Sequence, residues 1–230
     1  MLALSSSALS FAPQMAPRTS ALSRSGLVMQ TKEELATALN PAIGYWDPLG
    51  LGTADFWSVG NEATLGFLRQ AEIKHGRVSM AAFVGFIVQS NGIHWPAGFT
   101  PTWTYDASLS PPEQWDALPF EGKCQIIAFV GFLEWWSEFG GTHYMKGGKP
   151  GAFPEFKDIP LHKIPSLWDP AGFTKKMTPE RKEKALLAEI NNGRLAMFGI
   201  MGFLSAEKVA GSVPLLTFLK PYAGEVMQPF

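Results

Sequence analysis

Apolar residues along this chain gather into three stretches of helix length, separated by polar connections rich in Pro and Gly. The first runs from Glu62 to Gln89, the second from Gly122 to Phe139 and the third from Pro179 to Val209. Val78–Val88 and Leu195–Leu204 carry no polar stripe at helical period, which a water-soluble bundle would need on its outer face. The pattern therefore predicts an all-α membrane protein with three transmembrane helices. Each apolar core falls a little short of the roughly 20 residues that a span requires. The first and third reach that length only with the polar turns that precede them. Thr178-Pro179 reads as the N-cap and first turn of the third helix. Asn91-Gly92 and Gly211 read as stops for the first and third. A further short apolar piece, Val213 to Leu219, predicts an interfacial helix near the C-terminus.

The first and third stretches open on the same phrase. Ala71-Glu72-Ile73-Lys74-His75-Gly76-Arg77 is echoed by Ala188-Glu189-Ile190-Asn191-Asn192-Gly193-Arg194. Met80 and Met197 follow at one offset, and Gly85-Phe86 and Gly202-Phe203 at another. A second phrase precedes each copy, Trp46-Asp47-Pro48-Leu49-Gly50 and Trp168-Asp169-Pro170-Ala171-Gly172. An internal repeat of this kind predicts two similar helical units crossed about a pseudo-twofold axis. The Trp-Asp-Pro phrases read as turns, with Pro fixing φ and Asp able to cap.

Charge sets an orientation. No Lys or Arg lies between Ser90 and Phe120, whereas the second connection and the start of the third helix carry Lys146, Lys149, Lys157, Lys163, Lys175, Lys176, Arg181, Lys182 and Lys184. The N-terminal arm carries Arg18, Arg24 and Lys32. Positive residues favour the cytoplasm-equivalent side, so the N-terminus and the second connection share one side and the C-terminus lies opposite. Residues 1–30 are rich in Ser and Ala and lack acids, the makeup of an organelle transit peptide or a disordered leader, which leaves 31–230 as one domain. A net charge of −1 gives no footprint for nucleic acid. The lone Cys124 excludes a disulfide framework and reads as an inert thiol on an apolar helix.

The repeated residues carry the candidate chemistry. Glu72 and Arg77 lie five apart, about 140° around a helix, so they face different partners. The same holds for Glu189 and Arg194. Crossed helices let Arg77 meet Glu189 and Arg194 meet Glu72, which removes most of the cost of placing these charges in an apolar medium. Gly76 and Gly193 lie between the charges, where two backbones can approach. Each paired carboxylate keeps a free oxygen, and His75 and Asn192 lie one turn further on. Carboxylate, imidazole and amide are all fair single ligands for magnesium, but these diverge too far to cage a bare ion. Diverging single ligands suit a magnesium ion that brings its own equatorial donors, as in a tetrapyrrole. The plainer alternative is a Glu–Arg staple with His75 as an interfacial histidine; duplication of ligand types in one slot favours ligation.

At these residues the chain resembles the chlorophyll a/b/c light-harvesting antenna superfamily. Glu-Ile-x-His-Gly-Arg and Glu-Ile-x-Asn-Gly-Arg are that family's signatures, and the resemblance covers about Trp46 to Leu219. Phe-Val-Gly-Phe-Leu-Glu-Trp-Trp on the second helix, the Lys-rich connection and Ser-Val-Pro-Leu-Leu are most similar to chlorophyll a/c antennas of chromophyte algae, of fucoxanthin or peridinin type, with the dinoflagellate type preferred. The resemblance implies chlorophyll a, chlorophyll c and a carotenoid as cofactors. It implies Glu72, His75, Glu189 and Asn192 as axial ligands of chlorophyll magnesium, with Arg77 and Arg194 pairing the two acids. On the second helix it points to Gln125 and Glu134, with Glu138 a third candidate. The family's Gln ligand late in the third helix falls on Ala206, a departure that leaves Ser205 or Glu207, through water, as the fallback. The Trp-Asp-Pro segments would border the ends of two carotenoids. The implied setting is a plastid thylakoid membrane, with a photosystem I or II core, other antenna subunits, thylakoid lipid and further copies of the chain as partners. Excitation transfer is the implied function, and no enzymatic site is expected. Two alternatives remain: a photoprotective relative that dissipates excitation, which a fluorescence lifetime distinguishes, and a small transporter with Glu–Arg gates, which needs a polar pathway.

Overall fold

The computed structural model describes residues 31–94, 106, 108–154, 156, 169 and 172–225. The leader expected over residues 1–30 lies outside them, as does Trp168. Five α-helices follow in order: α1 (Lys32–Leu39), α2 (Asn61–Ser90), α3 (Pro111–Asp116), α4 (Phe120–Phe139) and α5 (Pro179–Lys208). No strand occurs among the described residues.

The three long helices fall where the apolar pattern puts them. Thr178 caps α5, its hydroxyl accepting from the Arg181 N–H at 3.4 Å, and Asn91 caps the end of α2, followed by Gly92 at φ +69°. Two short helices carry no apolar period, and their starts have capping-box sequences: Thr31 and Glu34 exchange side-chain and backbone hydrogen bonds, while at the second the Glu113 carboxylate accepts from the Ser110 N–H at 2.8 Å and the Ser110 hydroxyl has no partner among the described residues. The helix expected over Val213–Leu219 is a single 3-10 turn, Pro214–Leu216. Pro214 and Pro221 bracket a stretch too short for an i→i−4 ladder, and the backbone closes i→i−3 bonds instead, Leu216 to Val213 and Leu219 to Leu216.

α2 and α5 pack directly on one another, meeting at the repeat. A Cβ built on Gly193 would sit 2.8 Å from the Gly76 Cα, and one built on Gly76 would sit 3.1 Å from the Gly193 Cα. Each glycine thus touches its own counterpart. Phe86 and Phe203, also counterparts, stack with centroids 4.7 Å apart. Residues that meet their own equivalents lie on a twofold axis, so these two contacts mark the pseudo-symmetry axis that the repeat predicts. Gly193→Ala forces backbone against backbone, so we expect it to cost about 1–3 kcal/mol, with Gly76→Ala costing less. Thermal unfolding of the two variants should rank them in that order; equal midpoints would mean that the crossing tolerates a methyl group.

The faces beyond this crossing are not covered by the chain. Among the described residues the buried hydrophobic side chains are Leu39, Ala63, Phe86, Phe156, Ala196 and Tyr222. Leu195 and Phe198 on α5 are 71% and 83% exposed. On α4 every residue from Gln125 to Phe132 is exposed, on all sides of the helix. No described helix is long and apolar enough to cross a membrane, so the three expected spans are three long helices here and no more. The reason is visible in the sequence: Glu72, Lys74 and Arg77 interrupt α2, Glu189 and Arg194 interrupt α5, and α4 carries Glu121, Lys123, Glu134 and Glu138.

Candidate functional site

Helix α2 carries Glu72 and Arg77, and helix α5 carries their counterparts. The Arg77 Nε donates to the Glu189 Oε1 at 2.6 Å, and the Arg194 Nε donates to the Glu72 Oε1 at 2.6 Å. Equal lengths across the axis are what a reciprocal arrangement requires. Oε1 is the engaged oxygen in both acids, and Oε2 accepts no hydrogen bond among the described residues. Each acid is therefore hydrogen-bonded by one guanidinium, with the Arg69 charge also acting on Glu72, and keeps an oxygen for a further partner.

Symmetry ends just outside the pairs. The Arg77 Nη1 also donates to the Gly151 carbonyl at 2.7 Å, while the Gly151 N–H donates to the Gln70 Oε1 at 2.6 Å. The segment after α4 thus folds back onto α2 and clamps Arg77 from a second direction. Gly66 leaves room for that return, since a Cβ there would meet the Tyr144 carbonyl oxygen at 2.5 Å. On α5 the corresponding anchoring comes from Asn191, whose amide donates to the Leu39 carbonyl at 3.4 Å.

His75 and Asn192 occupy equivalent, exposed positions. The His75 Nδ1 lies 2.8 Å from the Ala71 carbonyl oxygen, which can only accept. Nδ1 therefore carries the proton, and the Nε2 lone pair is left outward and unshared, as a metal ligand needs. The Asn192 amide has no partner among the described residues. Among those residues no three His, Cys, Asp or Glu side chains gather into a metal cage, so each donor stands alone.

Gln125 and Glu134 lie on α4, both exposed, and are not brought to the crossing. Gln125 has no partner among the described residues, whereas Glu134 meets the Lys74 Nζ at 2.6 Å through Oε2. Lys74 also reaches Ser137 at 3.2 Å and the Glu138 Oε1 at 3.4 Å. The Glu138 Oε2 accepts from the Tyr144 hydroxyl at 3.1 Å and meets the His143 Nε2 at 2.8 Å. His143 Nδ1 accepts from the Met145 N–H at 3.2 Å, so Nε2 is its donor. Three donors thus saturate Glu138, which removes it from the ligand candidates. Sequence reasoning missed this network; its one visible sign is a lysine inside the repeated motif where the other copy has Asn191. Glu207, one of the two late α5 fallbacks, is 2% exposed and packed within protein, so it offers no outward oxygen, whereas Ser205 is partly exposed.

Asp47 and Asp169 accept similar backbone hydrogen bonds, although Asp169 stands at φ +52° and Asp47 does not. The Asp47 carboxylate accepts from the Leu51 and Gly52 N–H groups at 3.0 and 2.7 Å, and Asp169 accepts from Phe173 and Thr174, both at 2.7 Å. Gly50 and Gly172 stand at φ +67° and +71° in the two copies. The Gly52 N–H holds the Asp47 carboxyl below the usual carboxylate range, and the Thr174 hydroxyl does the same for Asp169. Trp46 beside the first turn is 75% exposed.

The chain is similar to known proteins over most of its length. A fucoxanthin-chlorophyll a-c binding protein F of Phaeodactylum tricornutum is 36% identical over 214 residues, covering 91% of this chain and 94% of that protein. A fucoxanthin-chlorophyll a-c binding protein of Trieres chinensis is 34% identical over 225 residues, covering 93% and 95%. One from Macrocystis pyrifera is 32% identical over 197 residues, covering 83% and 79%. The profile of the chlorophyll A-B binding protein family matches residues 31–208, from the first capping box to the end of α5, and the chain belongs to that family.

Proposed function

We propose that this protein is a light-harvesting antenna subunit that holds chlorophyll a, chlorophyll c and a carotenoid of fucoxanthin type in a plastid thylakoid membrane. The observation that carries the reading is the reciprocal Glu–Arg crossing with one free oxygen on each acid. Membership of the chlorophyll A-B binding family and the printed names of the relatives support the pigment classes and the chloroplast setting. The donor set fits a magnesium tetrapyrrole. Glu72, Glu189, His75 and Asn192 each offer one hard donor, none shares its site with another, and hard donors suit magnesium. Gln125 and Glu134 are the corresponding donors on α4.

When bound, such pigments absorb light and pass excitation between one another by resonance. The chain's task is to set which pigment sits where. The Arg77 and Arg194 guanidiniums balance the two acids, the Gly76–Gly193 contact fixes the crossing, and the His75 Nδ1–Ala71 bond fixes the imidazole plane. No catalytic step is assigned to any residue.

Membrane placement is part of the proposal. The exposed apolar faces of α4 and α5 suit lipid and pigment rather than water. We take Val78–Val88 and Leu195–Leu204, with the middle of α4, as the most apolar parts of the segments inside the bilayer, lengthened toward a full span by the motif turns that precede them. The paired acids then lie at one edge and residues 213–225 at the other. The Lys- and Arg-rich connection between α4 and α5 faces the stroma by its charge, and residues 1–30 serve as an import leader. A photosystem core and other antenna subunits are the proposed partners.

The purified or reconstituted protein should be coloured, with chlorophyll and carotenoid recovered on extraction. A folded, stable and colourless preparation would end the reading. His75→Leu should lose one chlorophyll per chain and keep its far-ultraviolet circular dichroism; unchanged pigment stoichiometry would remove His75 from the ligand set.

A further inference from the structure

Among the described residues three contacts of 2.6 Å between a carboxylate and a cation join different long helices, each through a single carboxylate oxygen; a fourth, Lys74 with Glu138, is longer at 3.4 Å. The three are Arg77 with Glu189, Arg194 with Glu72, and Lys74 with Glu134. The first two belong to the repeat. The third has no counterpart, because Asn191 fills the Lys74 slot on α5 and turns to α1 instead.

Two acids on α4 compete for Lys74, and the structure separates them. Glu138 is fully engaged, Oε1 with Lys74 and Oε2 with His143 and Tyr144. Glu134 accepts from Lys74 alone, keeps Oε1 without a donor among the described residues, and has a side chain 58% exposed. Glu134 thus has the same status as Glu72 and Glu189: one oxygen neutralised, one presented outward. An acid with no counter-charge would be costly beside the apolar face of α4, where Ile126 to Phe132 are all exposed even with Phe156 stacked on Phe132.

We propose that Lys74 is a positioning residue for pigment binding on α4: reaching across from α2, it balances Glu134 and fixes one of its oxygens, so that the other can ligate a magnesium tetrapyrrole. The motif on α2 would then supply two ligands, Glu72 and His75, and position two on other helices, Glu189 through Arg77 and Glu134 through Lys74. This role rests on the antenna reading. It also predicts that Lys74 matters through its charge, not as a strut between helices.

A reconstitution series separates those possibilities. The full chain and its variants are refolded with chlorophyll a, chlorophyll c and fucoxanthin, then assayed for chlorophyll per chain, visible circular dichroism and far-ultraviolet circular dichroism. Lys74→Met should lose one chlorophyll and its visible signature, while Lys74→Arg should keep both. In the double variant Lys74→Met with Glu134→Gln, a neutral amide ligand no longer needs a cation, so the lost chlorophyll should return. A double variant as depleted as Lys74→Met would show that Lys74 is only a tether to α4, and a Lys74→Met protein with full stoichiometry would remove any role; either result overturns the proposal. If Lys74→Met fails to refold, the double variant and Lys74→Arg still decide the matter. A wild-type chain that refolds without pigment would instead sink the antenna reading itself.

Discussion

Arg77→Leu is expected to unfold the crossing more severely than Arg194→Leu, although the two arginines are equivalent by the repeat. Both changes strand a carboxylate between α2 and α5. Arg77 loses more, because its Nη1 also holds the Gly151 carbonyl and through Gly151 the contact to Gln70. Arg77 is also the more enclosed, with a side chain 35% exposed against 44% for Arg194. Breaking a fully buried pair costs about 3–5 kcal/mol, and partial exposure lowers the figure here to roughly 2–4 kcal/mol for Arg77. The loss is mostly the penalty of the abandoned acid. Arg77→Leu combined with Glu189→Gln should therefore recover a good part of the stability while still lacking the ion pair. Thermal loss of visible circular dichroism in reconstituted protein measures all three. Equal midpoints for Arg77→Leu and Arg194→Leu would show that the Gly151 clamp contributes nothing. A double variant no better than Arg77→Leu would show that the pair itself, rather than the stranded charge, sets the cost.

The crossing was legible in the sequence because a repeat carries its own geometry. Two acids and two arginines five apart on like helices have one economical pairing, and Gly76 and Gly193 mark where the backbones meet. The ends of the long helices were equally plain, since Thr178-Pro179 and Asn91-Gly92 are local signals. The capping-box sequences at Thr31 and Ser110 are local signals too, but the helices they start are short and carry no apolar period, so hydropathy passes over them. Lys74 is another matter. Its partners Glu134 and Glu138 lie on a different helix with no periodic relation to it, and only the tertiary placement of α4 makes them neighbours. Choosing between those acids needed the hydrogen bonds of His143 and Tyr144, whose roles follow from a backbone N–H at Met145. Membrane crossing was the expectation least served by composition. Ligand and pairing charges sit inside the very helices that would span, and they dilute the apolar signal.

Glu207 was illegible for a related reason, and it yields a pH dependence. The sequence offers this glutamate, one residue from the end of α5, as a fallback ligand through water, yet it is 2% exposed and both of its carboxylate oxygens lack partners among the described residues. The chain after α5 comes back over it. The Tyr222 N–H donates to the Glu207 carbonyl at 3.0 Å, the Tyr222 hydroxyl donates to Asp116 at 2.8 Å, and the Lys208 Nζ donates to the Ala223 and Gly224 carbonyls. Lys220 adds a bond to the Ser108 carbonyl. Burial, and then the nearby charge of Glu113, push the Glu207 carboxyl up from 4.5 to about 7. Tyr222, pushed up to about 12 by burial and by Asp116, remains a donor throughout. Because the folded acid holds its proton more tightly than the unfolded one, the docked segment has its full stability below about pH 4.5 and loses it as pH rises through about 7. The shift corresponds to a difference on the order of 3 kcal/mol between the two ends of that window. Hydrogen exchange of residues 213–225 should accordingly be slower, after correction for intrinsic rates, at pH 5 than at pH 8. Glu207→Gln should remove most of that dependence, since the other charged groups that face the segment, Glu113, Asp116, Glu225, Lys123, Lys208 and Lys220, are the same in both proteins. The same pH profile in wild type and Glu207→Gln would show that the buried carboxyl does not control the segment that covers it.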